Sequence, residues 1–97
     1  MKIPSIYELI ELIPKNQNEK ITARSLAKLT GTTEPYIRKL INEGRAAGIS
    51  ICSTRHGYYL SKEIADISKT IRFLTNRVNT QLQAIQGLQK LLPEVDG

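Results

Sequence analysis

The stretch 22-TARSLAKLTGTTEPYIRKLIN-42 decides the fold. It divides into two short helices joined by a tight turn. Leu26 and Leu29 give the first helix an apolar edge, with Ala27 beside them. Gly31 follows, and glycine takes a positive φ without steric cost, so it stops a helix sharply. Thr32 and Thr33 are both placed to cap the next helix. Pro35 suits that helix's opening turn, where the N–H that proline lacks would have no intrahelical acceptor. Ile37, Leu40 and Ile41 then recur along one face. The small Ala27 lets the second helix cross close to the first, and Ile37 and Leu40 fill the angle between them.

Working outward towards the N-terminus, residues 1–14 predict a first helix. Ser5 caps it, Glu8 stands three residues on at the capping-box position, and Ile6, Leu9, Ile10 and Ile13 form a core-facing stripe. Pro14 ends this helix, and residues 15–20 form a polar loop. Tyr7 is expected to pack at the domain edge. Ile21 is expected to enter the core as a short extended segment, and Thr22 to cap the second helix.

Towards the C-terminus, the third helix starts near Thr33 or Glu34. It either runs to Ala47 with Gly48 as its cap, the favoured reading, or stops at Gly44. Ile49-Ser50-Ile51-Cys52-Ser53 alternates with period two and reads as a strand. Thr54-Arg55-His56-Gly57 is a turn and Tyr58-Tyr59-Leu60 the returning strand. This register puts Ile49, Ile51, Tyr58 and Leu60 on the core side and Tyr59 outside. A hairpin this short is marginal alone, so it must pack on the helices. Cys52 reads as a small buried residue.

The spacing of Ala27, Gly31, Ile37 and Leu40 resembles the helix-turn-helix of DNA-binding proteins. With Ser25-Leu26-Ala27, Ile41, Gly48-Ile49-Ser50-Ile51 and Gly57-Tyr58-Tyr59-Leu60 added, the chain resembles the winged helix-turn-helix of biotin-operon-type and DeoR-type repressors. Where those families usually carry Leu, this chain has Gly44. Its size and appended helix also look like small phage-encoded DNA-binding proteins. The fold class expected is mainly α with a small β-hairpin: a winged helix-turn-helix over residues 1–60, a long C-terminal oligomerisation helix over 61–93, and a disordered tail over 94–97.

Residues 61–92 carry a different pattern. Ile64, Ile71, Val78, Ile85 and Leu92 recur every seven residues, as do Ile67, Leu74, Gln81 and Leu88. That is a heptad repeat with one polar break at Gln81, and β-branched residues dominate its first set, which favours a parallel two-stranded coiled coil. Ser61 is read as its cap and Pro93 as its stop signal. The helix would be about 45 Å long at 1.5 Å per residue, more than a small domain can cover. Ile64 and Ile67 are expected to touch the domain. Self-association is expected through Ile67, Ile71, Leu74, Val78, Gln81, Ile85, Leu88 and Leu92. A tetramer or an antiparallel pairing stays open.

Composition narrows the function. The chain has 97 residues, 40% hydrophobic and 24% charged, with a net charge of +5. Residues 1–60 carry nine Lys/Arg against five Asp/Glu, and residues 61–97 five against four, so the excess lies with the helix-turn-helix half. A basic balance favours a polyanionic partner. One Cys and one His cannot build an ordinary zinc site or an intramolecular disulfide. Gly-rich phosphate loops and nucleophile-base sets are absent from the sequence, so no enzyme and no cofactor is expected. No stretch is apolar enough to suggest a leader or a membrane span, and a cytoplasmic protein of a bacterial or phage-infected cell is expected.

The winged resemblance implies that the third helix enters the major groove. Its outward residues are Thr33, Glu34, Pro35, Tyr36, Arg38, Lys39 and Asn42, with Thr32 in the turn before it. Arg38 suits a guanine edge and Asn42 an adenine edge, while Thr33 and Tyr36 suit phosphate or a thymine methyl. Glu34 would either meet a cytosine amino group or turn away from the backbone. Arg24, Ser25, Lys28 and Lys39 are phosphate candidates. Arg55 at the wing tip suits the minor groove or the backbone. His56 is read first as a solvated turn residue and second as a DNA contact. Tyr59 is read equally as a deoxyribose contact or as a cap on the base of the C-terminal helix.

The function expected is sequence-specific duplex DNA binding as a homo-oligomer, in transcription or in phage or plasmid replication or maintenance. The alternative is a protein-interaction adaptor. Single-stranded nucleic acid or RNA binding ranks last, because few aromatics are free to stack.

Overall fold

The computed structural model describes residues 5–93. The residues before Ser5 and the tail after Pro93, expected to be disordered, lie outside the described residues. Four helices and one hairpin follow in order: α1 (Ile6–Leu12), a short 3-10 turn (Gln17–Glu19), α2 (Ala23–Thr30), α3 (Glu34–Ala46), β1 (Ile51–Thr54), β2 (Gly57–Leu60) and α4 (Ile64–Gln89). The fold is mainly helical, with a two-stranded antiparallel hairpin and a long C-terminal helix.

The first three helices start on side-chain caps, because the leading N–H groups of a helix have no intrahelical acceptor. Ser5 accepts from the Glu8 N–H at 3.3 Å, Thr22 from Ser25 at 3.0 Å and Thr33 from Tyr36 at 3.4 Å. α2 ends at Gly31 in the left-handed conformation, φ 68°. The Thr32 N–H then reaches back to the Ala27 carbonyl at 3.0 Å. α3 ends in the same way. Ala47 closes it, Gly48 has φ 89°, and Ile49 N–H donates to Gly44 O at 2.9 Å while Gly48 N–H donates to Arg45 O at 3.0 Å. This pair of backward bonds uses carbonyls that would otherwise be orphaned.

The core gathers Leu9 and Ile13 from α1, Leu26 and Ala27 from α2, Ile37, Leu40 and Ile41 from α3, and Ile51 from β1. Ile6 packs against it half-buried. Gly44 explains how α1 fits. A Cβ there would stand 2.9 Å from Ile6 Cδ1 and 3.1 Å from Ile51 Cδ1. The space that a Leu would fill is taken by these two isoleucines. Two apolar residues do not join the core as expected. Leu29 is 64% exposed, and Tyr7 is 76% exposed rather than packed at an edge.

The hairpin pairs Ile51 with Leu60, Cys52 with Tyr59, Ser53 with Tyr58 and Thr54 with Gly57. Ile21 adds a bridge to Tyr58, with N–H···O distances of 3.0 and 2.7 Å. Ile51, Tyr58 and Leu60 lie against the helical core, as expected. Tyr59 corrects the sequence reading, because it is 3% exposed rather than turned outward. The hairpin has a second covered face: Cys52 and Tyr59 lie on it, under the first half of α4. The Ser53 N–H donates to the buried Thr70 Oγ1 of α4 at 3.2 Å.

α4 starts differently from the reading of Ser61 as its cap. Glu63 occupies the cap position and makes no side-chain capping bond. Ser61 instead ties strand to helix, accepting from the Glu63 N–H at 3.1 Å and donating to Asp66 Oδ2 at 2.7 Å. Ile64 is 81% exposed, against the expectation that it touches the domain, whereas Ile67 is half-buried. α4 has 26 residues, so it is about 39 Å long, shorter than the heptad run implied. Every described residue from Thr75 to Pro93 is exposed.

Burial, and then the Asp66 carboxylate, push the Tyr59 phenol above its ordinary value of 10.0. The folded state therefore resists forming the phenolate. The stability this confers is held below pH 10 and lost as pH rises through the folded-state value. Tyr59→Phe is expected to flatten this alkaline loss, because the phenylalanine ring has no ionisable hydroxyl. Urea denaturation at pH 8 and pH 11 checks this, and equal alkaline losses in both proteins would assign the effect elsewhere.

Candidate functional site

Burying Ile37, Leu40, Ile41 and Gly44 turns the opposite side of α3 to solvent. Pro35, Lys39 and Asn42 stand on that side, with Arg38 at its flank, and all four are exposed. Together with Glu43 and Ala46 they line a shallow concavity. Arg38 Nη2 donates to Glu34 Oε1 at 3.1 Å, one turn back along the helix. Glu34 thus turns towards a cation of its own helix. Exposed pairs of this kind contribute little stability, so Arg38 can exchange Glu34 for another acceptor at low cost.

The other expected contact residues divide by burial. Ser25, Lys28 and Thr33 are exposed. The Ser25 hydroxyl accepts from Thr22 Oγ1 at 3.1 Å, and the Thr33 hydroxyl is engaged as the α3 cap. Thr32 is half-buried, and its hydroxyl lies 2.9 Å from that of Thr30, inside the turn. Tyr36 is half-buried against the core, so its ring is partly withdrawn from solvent.

A cleft of about 250 Å³ adjoins the α3 surface. It lies between the start of α2, the flank of α3, the hairpin turn and α4. Arg24, Arg38, Arg55 and His56, all read from the sequence as contact residues, line it together. Arg45 and Arg77 line it as well, with Tyr58 and Phe73 in its wall, and among the described residues Glu34 is its one carboxylate. Arg38 borders both the cleft and the outer concavity.

Arg45 is held most firmly. Its Nε donates to the Ile51 carbonyl at 2.8 Å and its Nη2 to Ser53 Oγ at 3.0 Å. Its guanidinium lies over the Tyr58 ring, 5.7 Å from the centroid. Burial lowers its pKa, partly offset by Tyr58 and Cys52, and the neighbouring Arg77 cation lowers it further. Among the described residues no carboxylate is paired with Arg45. Arg77 lies over the Phe73 ring at 5.7 Å, one helical turn away. Stacking on a ring fixes the plane of a guanidinium and leaves N–H edges open to an acceptor.

Sequence reasoning missed Arg45, Phe73 and Arg77. Arg45 sits in the last turn of α3, where a cation near the helix C-terminus is unremarkable. Phe73 and Arg77 carry one local signal, their i,i+4 spacing away from the heptad stripe.

The arrangement brings several guanidinium groups, which are planar hydrogen-bond donors, to one open cleft. Among the described residues no group of three or more His, Cys, Asp and Glu converges as a metal site. No described helix is long and apolar enough to cross a membrane. No protein-family model matches the chain, and no curated relative or solved structure matches it either.

Proposed function

We propose that the chain is a winged helix-turn-helix protein that binds duplex DNA sequence-specifically as a homo-oligomer, in the manner of a regulator or a replication or maintenance factor. The observation that carries this reading is Arg38. It stands exposed between the outward side of α3 and a cleft holding four further arginines. A helix with a free side flanked by such charge suits the major groove, with base edges met by its side chains and phosphates by its neighbours. α2 and the Gly31 turn set the angle of α3, and the hairpin serves as the wing, with Arg55 and His56 at its tip.

In this reading Arg38 releases Glu34 and donates to a guanine, Asn42 meets an adenine, and Lys39 and Lys28 lie towards the backbone. The exposed stripe of α4, from Ile71 through Val78, Leu82 and Ile85 to Leu88, joins two chains. Leu82 is a further member of the stripe, beside the polar Gln81. Two reading heads so joined match half-sites about 34 Å apart, or a multiple of that spacing.

The test is selection from a random duplex library, followed by fluorescence anisotropy at several salt concentrations. Affinity is expected to fall steeply with salt and the selected sites to be palindromic. Arg38→Ala is expected to cost about 1–3 kcal/mol and to relax choice at one base pair. No salt-sensitive binding to any duplex would reject the reading.

A further inference from the structure

We infer that the cleft between the hairpin turn and α4 is a phosphate-binding site, in which Arg77 and Arg45 grip a phosphodiester of the duplex. This rests on the DNA-binding reading and deepens it, by giving the oligomerisation helix itself a contact to the DNA backbone.

Three observations carry the inference. First, Arg24, Arg45, Arg55 and Arg77 come from four separate elements and converge on one cavity of about 250 Å³. Of these, the partly buried Arg45 feels the Arg77 cation, and an anion between the two would offset that repulsion. Second, two of the four are pre-oriented on aromatic rings, Arg45 on Tyr58 and Arg77 on Phe73, each 5.7 Å from the centroid. The ordering entropy of their long side chains is thereby partly spent before a ligand arrives. Third, among the described residues the one carboxylate in the cleft, Glu34, is already engaged by Arg38 and leaves the other cations uncompensated.

A phosphate oxygen suits this site better than a carboxylate side chain. Phosphate offers several acceptors at wide angles, which donors arriving from different directions can share. The cleft shares Arg38 with the outward side of α3. A backbone crossing it would lie beside bases read by α3. Arg77 lies three residues beyond Leu74 on α4, just as the helix leaves the body. Its grip would set the angle of the stalk and so the spacing of the two heads.

The same chemistry is met by the phosphates of a duplex and by free oligophosphate, and two measurements separate these sources. The full chain and its Arg77→Gln variant are compared with Lys39→Gln, which changes the α3 face alone. Anisotropy on the selected duplex gives affinity against salt. Arg77→Gln is expected to weaken binding to all sequences alike and to lower the slope of log affinity against log salt by about 0.9, one phosphate contact. Nitrogen–proton correlation spectra are then recorded with inorganic pyrophosphate alone, and shifts are expected at Gly57 and Arg77 amides.

An unchanged salt slope in Arg77→Gln, beside a weakened Lys39→Gln, would overturn the cleft as a DNA contact and leave the DNA-binding reading standing. Pyrophosphate shifts in a protein that binds no duplex would keep the phosphate site, assign it to a free anion, and remove the DNA-binding reading. Neither duplex binding nor pyrophosphate shifts would overturn both. Amide spectra of Arg77→Gln without ligand establish that the variant folds.

Discussion

Replacing both Val78 and Ile85 by Asp is expected to leave a folded monomer and to lower affinity for a palindromic duplex by about 10²–10⁴, the gain that linked binding heads supply. Both residues are about half exposed in the single chain, at 54% and 49%, and neither belongs to the core cluster. Their substitution therefore removes little from the fold. In a two-stranded pairing the exposed half of each would be buried, which stabilises by about 1 kcal/mol per side chain, half of the value for full burial. The double variant removes four such side chains across the pair and replaces them with four like charges. Gln83→Asp serves as the control, because Gln83 is exposed and lies on the opposite side of α4 at 100° per residue. Light scattering coupled to size exclusion reads the mass. A dimer that persists in the double variant would place the interface elsewhere, and a native chain that is monomeric at micromolar concentration would remove self-association from the proposal.

Gly57→Val is expected to be the most destabilising single change outside the core. Gly57 has φ 141°, which L side chains rarely adopt. A Cβ would stand 2.7 Å from the Ile21 carbonyl oxygen and 2.9 Å from its carbon, both backbone atoms that cannot rotate away. Relief requires the hairpin to part from Ile21, with loss of the two bridge hydrogen bonds at 3.0 and 2.7 Å. Backbone strain costs about 1–3 kcal/mol, and each lost hydrogen bond about 1 kcal/mol. A total of about 3–5 kcal/mol would lower Tm by roughly 12–40 °C at 4–8 °C per kcal/mol for a domain of this size. Calorimetry gives the shift. Gly48→Val has no atom within 4 Å of its added Cβ, although its φ is also positive, so it separates backbone strain from collision. Equal losses in the two variants would remove the close approach to Ile21 as the cause.

The helical elements were legible in the sequence because their signals are local. A threonine cap, a glycine in the left-handed conformation and a proline in a first turn act within four residues of themselves. Thr22, Gly31, Thr33 and Pro35 therefore marked α2 and α3 from the sequence alone. Alternation also grouped Ile51 with Tyr58 and Leu60. The same period cannot say whether the other face of a hairpin is covered, and for Tyr59 that depended on where α4 lies. Ile64, Leu29 and Ser61 were misread for a related reason. An apolar or capping residue states a preference, while the partner that satisfies it is chosen by packing.

The candidate site divides in the same way. The outward residues of α3 followed from its buried stripe, since helical geometry turns Pro35, Lys39 and Asn42 away from Ile37 and Ile41. Local caps and periodicity thus determined that α2 and α3 form, where they stop and which side α3 buries. Only the tertiary structure decided that Arg24, Arg45, Arg55 and Arg77 share one cavity, because they span residues 24 to 77 and no periodicity links them. Segments distant in sequence meet through the summed burial of many side chains, and no short stretch carries that sum.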